Sequence, residues 1–151
     1  MGRRDEFYMR RALELAAEAA QEGEIPVGAL IVKDGEIIAE GKNCRERDRS
    51  ALAHAEMSAI AAACGKLNSW RLSGCEIFVT LEPCPMCAGA IINARIERLV
   101  FAAKDSKAGA AGSVANLFHM QFAHKPLVKS GVLAEESKKI LQRFFQNILR
   151  R

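Results

Sequence analysis

Residues 75–95 constrain the fold most strongly. Cys75-Glu-Ile-Phe-Val-Thr-Leu81 is a β-type run, and Pro83 biases Glu82 away from helical geometry, so a strand must end there. Pro85 suits the first turn of a helix, where its missing N–H leaves no bond unmade. A strand therefore hands over within a few residues to a helix over 84–95 that is rich in small side chains. Upstream, the runs 27–33 and 36–40 flank Asp34-Gly35, the signal of a short hairpin. A hairpin excludes a purely parallel sheet. Residues 4–22 read as an amphipathic helix stopped by Gly23, with Phe7, Leu13, Leu15 and Ala19 among charges. Residues 53–64 read as an Ala-rich buried helix, 99–103 as a short strand and 127–132 as another. Residues 134–149 read as a last helix with Phe144-Phe145 on its apolar side. Strand pairs interleaved with helices give an α/β layered domain with a mixed sheet.

The 151 residues are expected to form one domain over 1–151, with enough chain to bury a core unaided. Five cysteines, an odd number at irregular spacing, argue against a disulfide framework. No run approaches the roughly 20 apolar residues of a membrane helix. With no apolar leader core at the N-terminus, the expectation is a cytoplasmic protein. The net charge of +4 is small, and its distribution says more than its size. Lys138, Lys139, Arg143, Arg150 and Arg151 crowd an acid-free C-terminal stretch, and Arg45, Arg47 and Arg49 form a second basic patch. Such patches suit phosphate, and equally a helix C-terminus or solubility.

Cys84 and Cys87 fall at i and i+3, on one face of the first helical turn. The positive end of a helix favours thiolate, the metal-binding form. A strand feeding Cys-x-x-Cys into a helix also describes a redox pair, so the motif by itself leaves metal and redox open. Ala53-His54-Ala55-Glu56 lies 30 residues earlier and also precedes a helical run. One imidazole with two thiolates suits zinc, and three ligands leave a tetrahedral position open, as catalytic zinc requires. Cys44, Cys64 and Cys75 lack such spacing and read as small apolar residues. Residues two apart in a helix point about 200° apart. His54 and Glu56 therefore converge only if the first turn is irregular or the metal sits over the helix end.

His-x-Glu followed by Pro-Cys-x-x-Cys is the signature of zinc nucleobase deaminases. Beyond it, the chain resembles the bacterial tRNA-specific adenosine deaminases, of the zinc-dependent cytidine/deoxycytidylate deaminase superfamily. The matching stretches are residues 23–29, Asn43, 53–57, 79–84, 86–90, Arg95-Ile96, Lys104-Asp105, 109–113 and Phe144-Phe145. The resemblance implies a three-layer α/β/α cytidine-deaminase-like domain with a central mixed five-stranded sheet. It implies one zinc per subunit held by His54, Cys84 and Cys87, with Glu56 as the proton shuttle. The reaction implied is hydrolytic deamination of adenosine to inosine at the wobble position of a tRNA anticodon loop, with an arginine tRNA as the expected substrate. Asn43 would read the base edge or, as a plain Asn, cap a turn. Asp105 would meet a ribose 2′-OH or simply face solvent. Ala55 would offer its backbone N–H, while Pro26 and Val27 would pack on the extruded base. Lys104 would belong to the substrate segment, and Phe144 would stack on RNA or join the core. A homodimer is implied, and Ala88, Gly89 and Ala90 would permit close helix packing.

The chain departs from the family pattern at Ser50-Ala51-Leu52, where a Thr is usual, and at Ala123-His124, where Asn-His is common. His119 and His124 are not expected to be ligands. Two other readings remain at this level. One is a zinc deaminase of a free base or nucleoside such as guanine or cytosine. The other is a zinc-stabilised RNA-binding module without catalysis, which would have no use for Glu56.

Overall fold

The computed structural model describes residues 2–149, so Arg150 and Arg151 of the basic C-terminal stretch lie outside the described residues. In chain order the elements are α1 (Gly2–Gln21), β1 (Gly28–Lys33), β2 (Glu36–Lys42), α2 (Arg45–Asp48), α3 (Ala55–Leu67), β3 (Cys75–Leu81), α4 (Pro85–Asn93), β4 (Arg98–Ala103), β5 (Leu127–Lys129) and α5 (Ala134–Leu149). A single 3₁₀ turn, Leu117–His119, precedes β5.

The five strands form one sheet in the order β2-β1-β3-β4-β5. β1 is antiparallel to both β2 and β3, while β3, β4 and β5 run parallel. The mixed sheet is as the hairpin requires. Asp34 and Gly35 take φ of 51° and 80°, the left-handed pair of a type I′ turn. β3 and β4 are parallel because α4 carries the chain back between them.

Side-chain alternation divides the sheet's two faces between two cores. Ala29, Ile31, Ile77, Val79, Leu99 and Phe101 pack with α3 and α4, whereas Leu30, Val32, Phe78, Val100 and Ala102 pack with α1. Burial on both faces explains why the central strands read as continuous apolar runs rather than alternating ones. Two glycines let the helices settle. A Cβ on Gly28 would overlap the Ala12 carbonyl oxygen of α1, and one on Gly41 the Ala55 carbonyl oxygen at the start of α3.

Some boundaries differ from the pattern-based reading. α3 begins at Ala55 and runs to Leu67, where Asn68 at φ 51° caps it through its N–H to the Cys64 and Gly65 carbonyls. β5 stops at Lys129, short of the expected 132. Phe7 and Phe145, read with the apolar residues of their amphipathic helices, are 68% and 46% exposed. The short helix α2 carries no hydrophobic periodicity; its start is held instead by the buried Glu24 carboxylate, which accepts the Glu46 and Arg47 N–H groups.

At the N-terminal edge, Asp5 is the hub of an ion network. It accepts two bonds from Arg98 (2.9 and 2.8 Å) and one from Lys129 (2.8 Å), tying α1 to β4 and β5. The Arg98 guanidinium, first among these, holds the Asp5 carboxyl down at about 2 against an ordinary 3.8. A lowered folded-state pKa means stability that is fully present above pH 4 and lost as pH falls through about 2. Asp5→Asn is therefore expected to lower unfolding stability at pH 7 by about 2 kcal/mol. In urea denaturation the gap between the two proteins should close between pH 4 and pH 2.

Candidate active site

Two helices begin side by side at the end of the sheet where β2, β3 and β4 finish and the antiparallel β1 starts. His54 is the N-cap of α3 in extended geometry (φ −83°, ψ 154°), and Cys84 is the N-cap of α4 (φ −73°, ψ 173°) with Pro85 next. Cys87 follows inside the first turn of α4. His54 thus lies just outside its helix, which removes the 200° obstacle and lets it sit beside Glu56. His54 Nδ1 is 3.7 Å from Cys84 Sγ and 3.5 Å from Cys87 Sγ. The three ligand atoms lie within 4.8 Å of one another, the one such cluster among the described residues.

The donor set fits zinc. Tetrahedral bonds of about 2.3 Å to sulfur and about 2.0 Å to nitrogen place S and N roughly 3.6 Å apart, the spacing found. The electrostatics already favour a thiolate. The Cys87 thiol donates to Cys84, holding the latter at about 4, while that same bond and burial push Cys87 up. The hydrogen bond with Cys84 raises His54. Glu56 is 4% exposed, and burial pushes its carboxyl up to about 7. Cys44 and Cys75 are buried and Cys64 half-buried, all free thiols away from this centre.

His54 and Cys84 of the cluster form one wall of a cavity of about 190 Å³ lined also by Ile25, Val27, Asn43, Ala55, Glu56 and Asp105, while Cys87 is buried behind it. Of the residues expected here, the structure brings in Asn43, Asp105, Ala55 and Val27. Both readings of Asn43 meet in one place. Its Oδ1 accepts the Arg45 N–H (3.1 Å) and its Nδ2 donates to the Ile25 carbonyl (3.3 Å), so the turn cap also stands in the cavity wall. Asp105 likewise caps its loop, accepting from the N–H groups of Lys107 (3.0 Å) and Ala108 (3.2 Å). Pro26 is buried and does not line the cavity. Lys104 is exposed and lines a different hollow. Phe144 lies in an adjoining groove that shares Ile25, Asn43 and Arg45 with the cavity. His119 is exposed, and His124 Nε2 is taken up by the Ile96 carbonyl at 2.7 Å, so neither is a ligand. At the divergent turn, Ser50 Oγ accepts the Leu52 N–H and the Leu52 carbonyl accepts the His54 N–H at 2.8 Å, with the Leu52 side chain 61% exposed.

Sequence reasoning missed Glu82 and set Arg45 only in a basic patch, whereas both line the cavity. Glu82 is 3% exposed and lines the cavity. Its carboxylate accepts the N–H groups of Asp105 (3.0 Å), Ala111 (2.9 Å) and Ser113 (3.1 Å), and the Ser113 hydroxyl. These bonds outweigh burial and keep the carboxyl below its ordinary value. A Cβ on Gly109 would strike that carboxylate, which accounts for the glycine. The signal available in the sequence was an acid at the carboxyl end of a buried strand, two residues from a ligand.

The family model for the cytidine and deoxycytidylate deaminase zinc-binding region matches residues 2–103. The chain is 48% identical over 145 residues to the tRNA-specific adenosine deaminase of Bacillus subtilis (strain 168), covering 95% of this chain and 90% of that one. Its structure resembles one solved in studies of A-to-I editing by tRNA:A34 deaminases at the wobble position of transfer RNA. That match has TM-score 0.87 and 43% identity, and covers 89% of this chain and 99% of the other. A guanine deaminase from Bacillus subtilis is also similar, with TM-score 0.65 and 42% identity over 80% of this chain and 77% of that one.

Cys84→Ser is expected to drop bound zinc well below one per chain by elemental analysis. Glu82→Ala, which strips a buried acceptor from three backbone N–H groups, should cost at least about 2 kcal/mol in chemical denaturation while leaving the ligand set in place.

Proposed function

The chain belongs to the cytidine and deoxycytidylate deaminase family, and we propose that it deaminates adenosine to inosine at the wobble position of a tRNA anticodon loop. One observation carries the reading: an imidazole and two cysteine sulfurs spaced for zinc meet a buried carboxylate in a cavity sized for a single base. The near full-length similarity to tRNA-specific adenosine deaminases names the base and its carrier.

Zinc bound by His54, Cys84 and Cys87 would supply a water acidified from about 15.7 toward neutrality. The chain's own groups account for the remaining work. Glu56 takes a proton from the water and passes it to N1 of adenine, which opens C6 to addition. It then takes the remaining proton of the hydroxyl added at C6 and delivers it to the amine, so the C6–N bond breaks and adenosine and water become inosine and ammonia. A carboxyl that burial holds near neutral pH can act as base and acid within one turnover. The Ala55 N–H, an orphan donor of the first helical turn, is available to a developing oxyanion. Asn43 keeps a second N–H and a second lone pair for the base edge beyond its two turn bonds. Val27 supports the flat face of the base. Asp105 is at hand for a ribose 2′-OH, which would favour RNA over DNA.

The substrate proposed is an arginine tRNA, acted on by a homodimer in the cytoplasm. Ala88 is fully buried in the core, whereas Gly89 and Ala90 are half-buried in an open groove with Met86, Ile92 and Phe122. That groove is the face proposed for the second copy. No described helix is long and apolar enough to cross a membrane.

Incubation with an arginine-tRNA anticodon stem-loop is expected to yield inosine at the wobble adenosine, with free adenosine, guanine and cytidine unchanged. Turnover of guanine and not of the stem-loop would move the chain to the free-base branch. Glu56→Gln should lower the rate by roughly 10²- to 10⁴-fold. It should leave zinc content and the unfolding transition as they are, an outcome incompatible with a purely structural metal.

A further inference from the structure

The Glu82 carboxylate stands where the catalytic cavity meets the 105–113 loop, and it has no bond left to offer a substrate. Four donors reach it. The Asp105 N–H (3.0 Å) and the Ser113 hydroxyl bind Oε1, and the Ala111 (2.9 Å) and Ser113 (3.1 Å) N–H groups bind Oε2. An ionised carboxylate has about four lone-pair directions, so all of them are taken. Whatever Glu82 does for the reaction, it does through the loop.

Asp105 is a loop residue that lines the cavity. Its carbonyl oxygen accepts the Gly109 N–H (2.9 Å), and its Oδ1 accepts the Lys107 and Ala108 N–H groups. Those bonds turn the loop on itself. The Glu82 bond is different, because it ties Asp105 to the strand-to-helix link that carries the metal ligands. Asp105 Oδ2 has no hydrogen-bond partner among the described residues, so its aim depends on how the backbone of residue 105 is held.

We propose that Glu82 is the positioning residue for RNA-over-DNA selectivity. By holding the Asp105 N–H, it aims Oδ2 at the ribose 2′-OH of the target nucleotide. This role deepens the tRNA reading above and rests on it. A deoxyribose has no hydroxyl to donate, and losing one bond to a charged acceptor is a difference of roughly tenfold to a hundredfold.

The isosteric amide separates this role from plain anchoring. At Oε2 two backbone N–H groups both need an oxygen. At Oε1 the Ser113 hydroxyl can turn round and accept from an amide NH₂. In Glu82→Gln the amide oxygen therefore stays at the Oε2 position, and the Asp105 N–H alone loses its acceptor.

The test gives zinc-loaded protein an arginine-tRNA anticodon stem-loop, and the same stem-loop with a single 2′-deoxyadenosine at the wobble position. The wild type should favour the ribose form by roughly 10- to 100-fold in kcat/KM. Glu82→Gln should lose most of that ratio while keeping one zinc per chain. In an Asp105→Ala background, Glu82→Gln should lower the ratio no further. Ser113→Ala, which leaves the Asp105 N–H bonded, should keep it. A rate that falls equally on both substrates in Glu82→Gln marks a merely structural anchor and overturns the proposal. Should Glu82→Gln not fold, Gly109→Ala displaces the same hold with the charge intact, since its Cβ would meet the Glu82 carboxylate and the Asp105 carbonyl oxygen. A full ribose preference in that variant overturns the proposal equally. If the wild type deaminates both stem-loops alike, this role is wrong and the tRNA reading stands. If it deaminates neither, the functional reading falls with it.

Discussion

The meeting of two helix N-termini over one set of donors is the contact on which the rest of the active end depends. Each first turn presents a positive partial charge and unpaired N–H groups, so two placed side by side would repel. They are compatible because the Cys84 sulfur between them carries negative charge, its thiol held at about 4 by the hydrogen bonds from Cys87 and His54. The charge that reconciles the helix ends is also the charge a metal cation requires. Fold and cofactor site are thus held together by one electrostatic arrangement.

That arrangement needs both helices seated at one height on the sheet. Gly41 gives α3 its seat, since any side chain there would meet the Ala55 carbonyl oxygen. The Leu81–Pro85 link sets α4, because one proline ends the strand and the other starts the helix. Glu82 lies within that link and turns it into an anchor. Its carboxylate gathers the backbone of residues 105–113 and fixes Asp105 at the cavity. A rigid element therefore carries the ligands, and a loop pinned to it by one buried acid carries part of the cavity wall.

Several cavity residues serve structure and site together. Asn43 and Asp105 both spend hydrogen bonds on their own turns, which removes rotamer freedom that substrate binding would otherwise have to remove. An Asn that caps a turn and an Asn that faces a ligand are not competing descriptions when the turn lies in the cavity wall. The C-terminal helix is different. Its Phe145 and Ile148 are 46% and 48% exposed around a groove beside the cavity, so this helix contributes surface as well as core.

The sequence by itself determined a good deal. Asp34-Gly35 set the hairpin, the apolar runs set the central strands, and the two prolines around Cys84 set the strand-to-helix junction that presents the thiols. These are local effects of backbone sterics and side-chain period, and they hold whatever surrounds them. The ligand triad was legible because residue type and spacing together carry the chemistry. Only the tertiary structure decided that His54 stands outside its helix, that Phe7 and Phe145 face out, and that Pro26 and Lys104 lie off the cavity. It alone revealed Glu82 as the organiser of a loop more than 20 residues away and placed Trp70 between Arg71 and Arg95. The physical reason is common to all of these. Burial, long-range hydrogen bonds and the partners of a charge depend on which segments the folded sheet brings together, and no local pattern encodes that.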